Sequence, residues 1–149
     1  MFMVELIGKQ VKMKVFVLVC VAVAVVLGQD PHNLKQEHEK CQSDPALRLS
    51  DAFLEEFRNN PETTNYPANL NAHLICLSTG LNLIDQEGRV NREGVRWHIK
   101  HDVQDKDREE ALLNECAVNK ATTAETVITL WKCLIKNDIL KHDDPDFHT

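Results

Sequence analysis

The placement of the cysteines constrains this chain more than any other feature. Five occur in 149 residues: Cys20, Cys41, Cys76, Cys116 and Cys133. Cys20 stands apart, inside a run from Val15 to Leu27 in which every residue is apolar. As a helix such a run covers about 20 Å, short of the roughly 30 Å hydrocarbon core of a bilayer. Lys9, Lys12 and Lys14 precede it, and Val26-Leu27-Gly28 leads into the polar Gln29-Asp30. That is the three-part layout of a secretory signal peptide. A membrane anchor or a buried strand fits the run length and the flanks less well. The expectation is a leader over residues 1–28, initiated at Met1 or Met13, followed by one domain over residues 29–149.

Removing the leader discards three lysines, one glutamate and Cys20, and leaves 14 basic against 22 acidic residues, a net charge of −8 instead of −6. Four cysteines in a secreted chain imply two disulfides formed in an oxidising compartment, and four can pair in three ways. A second apolar run of membrane-spanning length is absent from the sequence, as is any Asn-x-Ser/Thr acceptor. The expected product is soluble, extracellular and without N-linked sugar. Its acidic balance argues against nucleic acid or an anionic membrane surface as partner.

The mature periodicity is helical almost throughout. Asp30-Pro31 can open a polar helix running to about Cys41, and Ser50 can cap a short one presenting Phe53, Leu54 and Phe57. Pro67 opens a third, with Leu70, Leu74, Leu77 and Leu81 in a stripe and a stop near Gly80. Asp85-Gln86-Glu87-Gly88 reads as a turn, after which Asn91 can cap a segment with Val95 and Ile99 on one side. Asp105 begins a helix with an acidic first turn and Leu112, Leu113 and Val118 on its apolar side. Thr122-x-x-Glu125 is a capping box opening the most apolar helix, which carries Val127, Ile128, Leu130, Trp131, Leu134 and Ile135. The residues from Leu140 to Thr149 read as a loose polar tail. Such stripes must bury one another, so the expected fold is a compact all-α domain of six helices stapled by disulfides.

The cysteine spacing resembles that of the secreted six-helix insect odorant-binding proteins, the pheromone and general odorant-binding superfamily. Members carry six cysteines. If Cys41, Cys76, Cys116 and Cys133 stand for the first, third, fourth and sixth, the other two belong at 72 and 124, where this chain has Ala72 and Ala124. In the family the second and fifth cysteines bond each other, so losing both leaves no odd thiol. That is the pattern of the four-cysteine "minus-C" subclass. The likeness spans residues 31–140 and includes Cys76-Leu77-Ser78-Thr79-Gly80-Leu81-Asn82-Leu83-Ile84-Asp85. It implies the pairings Cys41–Cys76 and Cys116–Cys133, and helices arranged around an internal hydrophobic cavity. It also implies a carrier of small hydrophobic ligands in aqueous lymph, a monomer or weak homodimer that could deliver to a membrane receptor.

On that resemblance Trp131, Leu134 and Leu112 fall where the family faces its cavity. Phe53, Phe57, Leu74, Leu77, Ile84 and Val90 are further candidate ligand contacts, as are Val95, Ile99, Leu113, Val127 and Ile135. A cavity and a core use the same residue types, so each is equally a candidate for plain packing. The expected pocket is aliphatic with one or two rings and without a positive charge, and His73 is its nearest polar neighbour, though a surface position suits it better. No metal, cofactor or catalytic constellation is expected. His98-x-x-His101 lacks a third ligand and reads as a solvated helix face, while Asp102, Asp105 and Asp107 lack the rest of a calcium loop. A secreted phospholipase would set its His-Asp pair beside cysteines, but His101-Asp102 has none adjoining. The rival readings are an interaction protein of hemolymph or seminal fluid without a working cavity, and a lipid hydrolase. A tail cluster of His142, Asp143, Asp144, Asp146 and His148 around Phe147 suggests a second, pH-sensitive role over the pocket, weighed against an acidic tail without contacts.

Overall fold

A computed structural model describes residues 33–140. The leader, and the tail cluster around Phe147, lie outside them. The described residues form six helices: α1 (Leu34–Ser43), α2 (Asp51–Asn59), α3 (Leu70–Gly80), α4 (Arg92–Asp102), α5 (Lys106–Cys116) and α6 (Thr123–Lys136). The one β feature among them is an isolated antiparallel bridge between Ile84 and Val90.

Most helix starts follow directly from local chemistry, because a side-chain oxygen three residues upstream satisfies an orphan N–H of the first turn. Ser50 accepts from Phe53 N, Asn91 from Gly94 N and Asp105 from Arg108 N. At α6 the capping box is complete, with Glu125 N donating to Thr122 Oγ1 and Thr122 N to Glu125 Oε2, each at 3.2 Å. Two starts differ from expectation. The described α1 begins at Leu34 with Asn33 as its cap, accepting from Gln36 N at 3.0 Å, so the cap lies later than Asp30. At α3, Pro67 to Asn69 form only a turn, and the Asn69 side chain donates away from its own helix to Arg48 O at 2.7 Å.

The α3–α4 connection is a tight hairpin. Asn82 takes a left-handed backbone, Asp85 Oδ1 accepts from Glu87 N and Arg89 N, and Gly88 supplies the positive φ of +76° that the turn needs. This brings Asn82 O against α4 so closely that a side chain at Gly94 would begin 1.8 Å from it. Only glycine fits there.

Packing closes the domain. α3 lies along α6, α1 against α3, and α5 against both α4 and α6. Leu81, Leu83, Val95, Ile99, Leu113, Val127, Leu130 and Leu134 are fully buried in the resulting core. The disulfides are Cys41–Cys76, joining α1 to α3, and Cys116–Cys133, joining α5 to α6. These are the pairings implied by the family resemblance.

Three residues depart from the sequence reading. Val118 lies beyond α5 and is exposed rather than part of its apolar side. His98 is buried, with Nε2 3.0 Å from Leu81 O, so that face of α4 is packed rather than solvated. Leu140, expected to begin a loose tail, is 5% exposed, and its N–H donates to Asp102 Oδ2 at 2.8 Å, which docks this residue onto α4.

Candidate ligand cavity

Helices α1, α2, α3 and α6 line a half-open cavity of about 930 Å³. That lies within the usual range for small-molecule sites, roughly 300 to 1,000 Å³. Its floor is apolar and comes from the helices that are most buried. α3 supplies Leu70, Leu74 and Leu77, α6 supplies Trp131 and Ile135, and the segment after α6 adds Ile139 and Leu140. Leu49, Leu54 and Phe57 continue the apolar wall through the α1–α2 loop and α2. Lys35 and Glu39 of α1 and Asp51, Glu55 and Arg58 of α2 also line it and are exposed, so the mouth opens between α1 and α2. Charged groups at the mouth stay hydrated, while the floor offers burial to an apolar guest.

Two side-chain attachments hold the walls in register. Trp131 Nε1 donates to Ser78 Oγ at 2.9 Å, tying α6 to α3 behind the floor. The α1–α2 loop is clamped by Gln42, whose amide donates to Leu49 O and accepts from Leu49 N. His73 adds a third attachment, its Nδ1 lying 2.9 Å from Leu47 O.

Of the sequence candidates, Phe57, Leu74, Leu77, Trp131 and Ile135 line this cavity. Phe53 stacks on Phe57 with ring centroids 5.8 Å apart but is not itself part of the wall. Ile84 and Val90 form the bridge of the hairpin. Val95, Ile99, Leu112 and Leu113 are buried on α4 and α5, neither of which contributes to the lining, and Val127 and Leu134 are buried on α6 outside it. The contribution of α1 escaped the sequence reading, though Leu34 and His38 stand one helical turn apart. A positive charge, expected to be absent, is present at the mouth in Lys35 and Arg58.

His73 is also placed differently: it is fully buried in the wall, not at the surface. Burial holds its imidazole below the usual 6.5, the nearby His38 acts in the same direction, and the bond to Leu47 opposes both. A depressed histidine favours the native state above its unfolded pKa, and that advantage is lost as pH falls from 6.5 through the native value. The urea midpoint is therefore expected to fall between pH 7.5 and pH 5, and His73→Phe is expected to flatten that slope. Parallel profiles for the two proteins would show that His73 does not cause it.

Among the described residues no helix is long and apolar enough to cross a membrane, and no group of three His, Cys, Asp or Glu side chains is arranged to hold a metal ion. No curated protein and no solved structure matches the chain. The family profile described as PBP/GOBP matches residues 25–137, about three-quarters of the sequence and all six helices. Taken with the six helices, the disulfides and the cavity that four of the helices line, this match shows that the chain belongs to the PBP/GOBP family.

Proposed function

We propose that this protein is a secreted carrier that encloses one small hydrophobic molecule, an odorant, pheromone, fatty-acid-like or other apolar compound, and moves it through aqueous lymph without chemistry. The family is one of binding proteins. The observation that carries the reading is the cavity of about 930 Å³ with an aliphatic floor and a hydrated mouth. A guest burying on the order of 500 Å² gains about 12 kcal/mol at roughly 25 cal/mol per Å², and an immobilisation cost of about 4 kcal/mol leaves about 8 kcal/mol. Affinity near micromolar follows, with selectivity coming mainly from shape.

The four-cysteine subclass fits the same picture. Ala72 lies on α3 and Ala124 on α6, the two helices of the floor, and neither can form the bridge that six-cysteine relatives place between them. Without that covalent tie, α3 can shift against α6 to admit guests of different width.

The test is a titration with an apolar fluorescent naphthylamine dye, followed by displacement with aliphatic alcohols, esters and acids. Binding near micromolar is expected. Ile135→Trp, which adds bulk from a half-buried wall position, is expected to weaken it by about tenfold with the helical content unchanged. A dye that neither binds nor is displaced would favour an interaction protein without a working cavity.

A further inference from the structure

The cavity wall contains one polar atom that the protein itself leaves unsatisfied. His73 is 0% exposed, and its Nδ1 faces Leu47 O at 2.9 Å. A carbonyl oxygen only accepts, so Nδ1 carries the hydrogen and Nε2 keeps a lone pair. Among the described residues Nε2 has no hydrogen-bond partner, and it is closed to water as well. A buried acceptor in that state costs more than an exchanged hydrogen bond, because neither solvent nor protein compensates for it. The neighbouring ring of His38, edge-on with centroids 5.6 Å apart, also belongs to the cavity wall.

We propose that His73 Nε2 is the polar subsite of this cavity, and that it selects guests ending in a hydrogen-bond donor, above all the hydroxyl of an aliphatic alcohol. The proposal rests on the carrier reading and adds the chemical class of the guest. A hydroxyl that enters as the half-buried His38 ring turns aside donates to the lone pair and relieves the unsatisfied atom. Ether, ester and aldehyde oxygens only accept and meet it lone pair to lone pair. A carboxylate adds repulsion and a desolvation cost at an apolar floor. Burial keeps the ring in its neutral form at neutral pH, so Nε2 remains an acceptor there. Beside the two histidines the polar groups of the wall, Lys35, Glu39, Asp51, Glu55, Arg58 and Asn59, are exposed at the mouth, where water competes for every bond they offer.

The experiment compares dodecan-1-ol with dodecyl methyl ether, equal in chain and differing in the donor, by calorimetry on the full protein at pH 7.5. The alcohol is expected to bind about tenfold more tightly. His73→Asn retains an amide N–H for Leu47 O but has no acceptor in place of Nε2, and is expected to reduce the preference to about twofold or less while ether affinity is retained. Imidazole 15N resonances of the unsubstituted protein give a second readout, independent of the variant's folding. The Nε2 signal is expected to move upfield toward its hydrogen-bonded position with the alcohol and to stay in place with the ether. Equal affinity for the two ligands, a preference that survives in His73→Asn, or an unmoved Nε2 signal overturns the proposal and leaves the carrier reading standing. Failure of both ligands and of the apolar dye to bind overturns the two together.

Discussion

Replacing Trp131 with alanine is expected to remove about 3 to 5 kcal/mol of stability, the usual cost of emptying a large buried aromatic site. Domains of this size are stable by only about 5 to 15 kcal/mol, so the variant should stand near the edge of folding. Two separable terms make up the loss. The ring is 6% exposed and forms part of the cavity floor, so its removal deprives α3 and α6 of their shared packing. Its Nε1–H also donates to Ser78 Oγ, which is itself buried. Trp131→Phe keeps most of the ring and drops the bond, and should cost about 1 to 2 kcal/mol. Ser78→Ala leaves the indole N–H orphaned and should cost a similar amount. The double variant should be less harmful than the sum of the two, by about 1 kcal/mol, since each single change removes the same bond. Urea unfolding of the four proteins gives the cycle. Additivity within error would mean that the Trp131–Ser78 bond contributes nothing to the α3–α6 seam, and a cost below about 1 kcal/mol for Trp131→Ala would mean that the floor collapses to fill the space.

The seam illustrates which parts of the molecule a sequence exposes. Ser50, Asn91, Asp105 and Thr122 could be recognised as caps because each acts on a backbone N–H three residues away. The helices followed from stripes of local period, and the disulfide pairing from the likeness of spacing to a family. The cavity obeys no such local rule. Val95, Ile99 and Leu113 have the same character as Leu74 and Leu77, yet α4 and α5 close on each other while α3 faces the cavity. Which stripe meets a void depends on tertiary packing, to which residue type is blind. The histidines show this most clearly. His73 and His98 are buried with a ring nitrogen against the carbonyls of Leu47 and Leu81, 26 and 17 residues away, and nothing beside either one in sequence distinguishes it from the exposed His101. Leu140 likewise docks through Asp102, 38 residues earlier.

The two disulfides should separate stability from ligand retention. In the chain-entropy account a crosslink stabilises by restricting the unfolded chain, and more so for a longer loop. With sequence separations of 35 and 17, removing Cys41–Cys76 should cost about 4 kcal/mol and removing Cys116–Cys133 about 3 kcal/mol. Those losses are close, but the places they act on differ. Cys41 joins α1 to α3, and both helices line the cavity, through Leu34 and His38 on one side and Leu70, His73 and Leu74 on the other. Cys133 joins α6 to α5, which contributes nothing to the wall. Cys41→Ala with Cys76→Ala is therefore expected to loosen the mouth and weaken dye binding by about tenfold, with faster hydrogen exchange in α1. Cys116→Ala with Cys133→Ala is expected to leave affinity within about twofold of the parent at any temperature where it remains folded. Paired replacement avoids leaving a free thiol in either case. Equal losses of affinity would mean that the cavity is held by the domain as a whole. Unchanged affinity in both would mean that side-chain packing, with the Gln42 clamp and the His73 bond to the α1–α2 loop, positions α1 without covalent help.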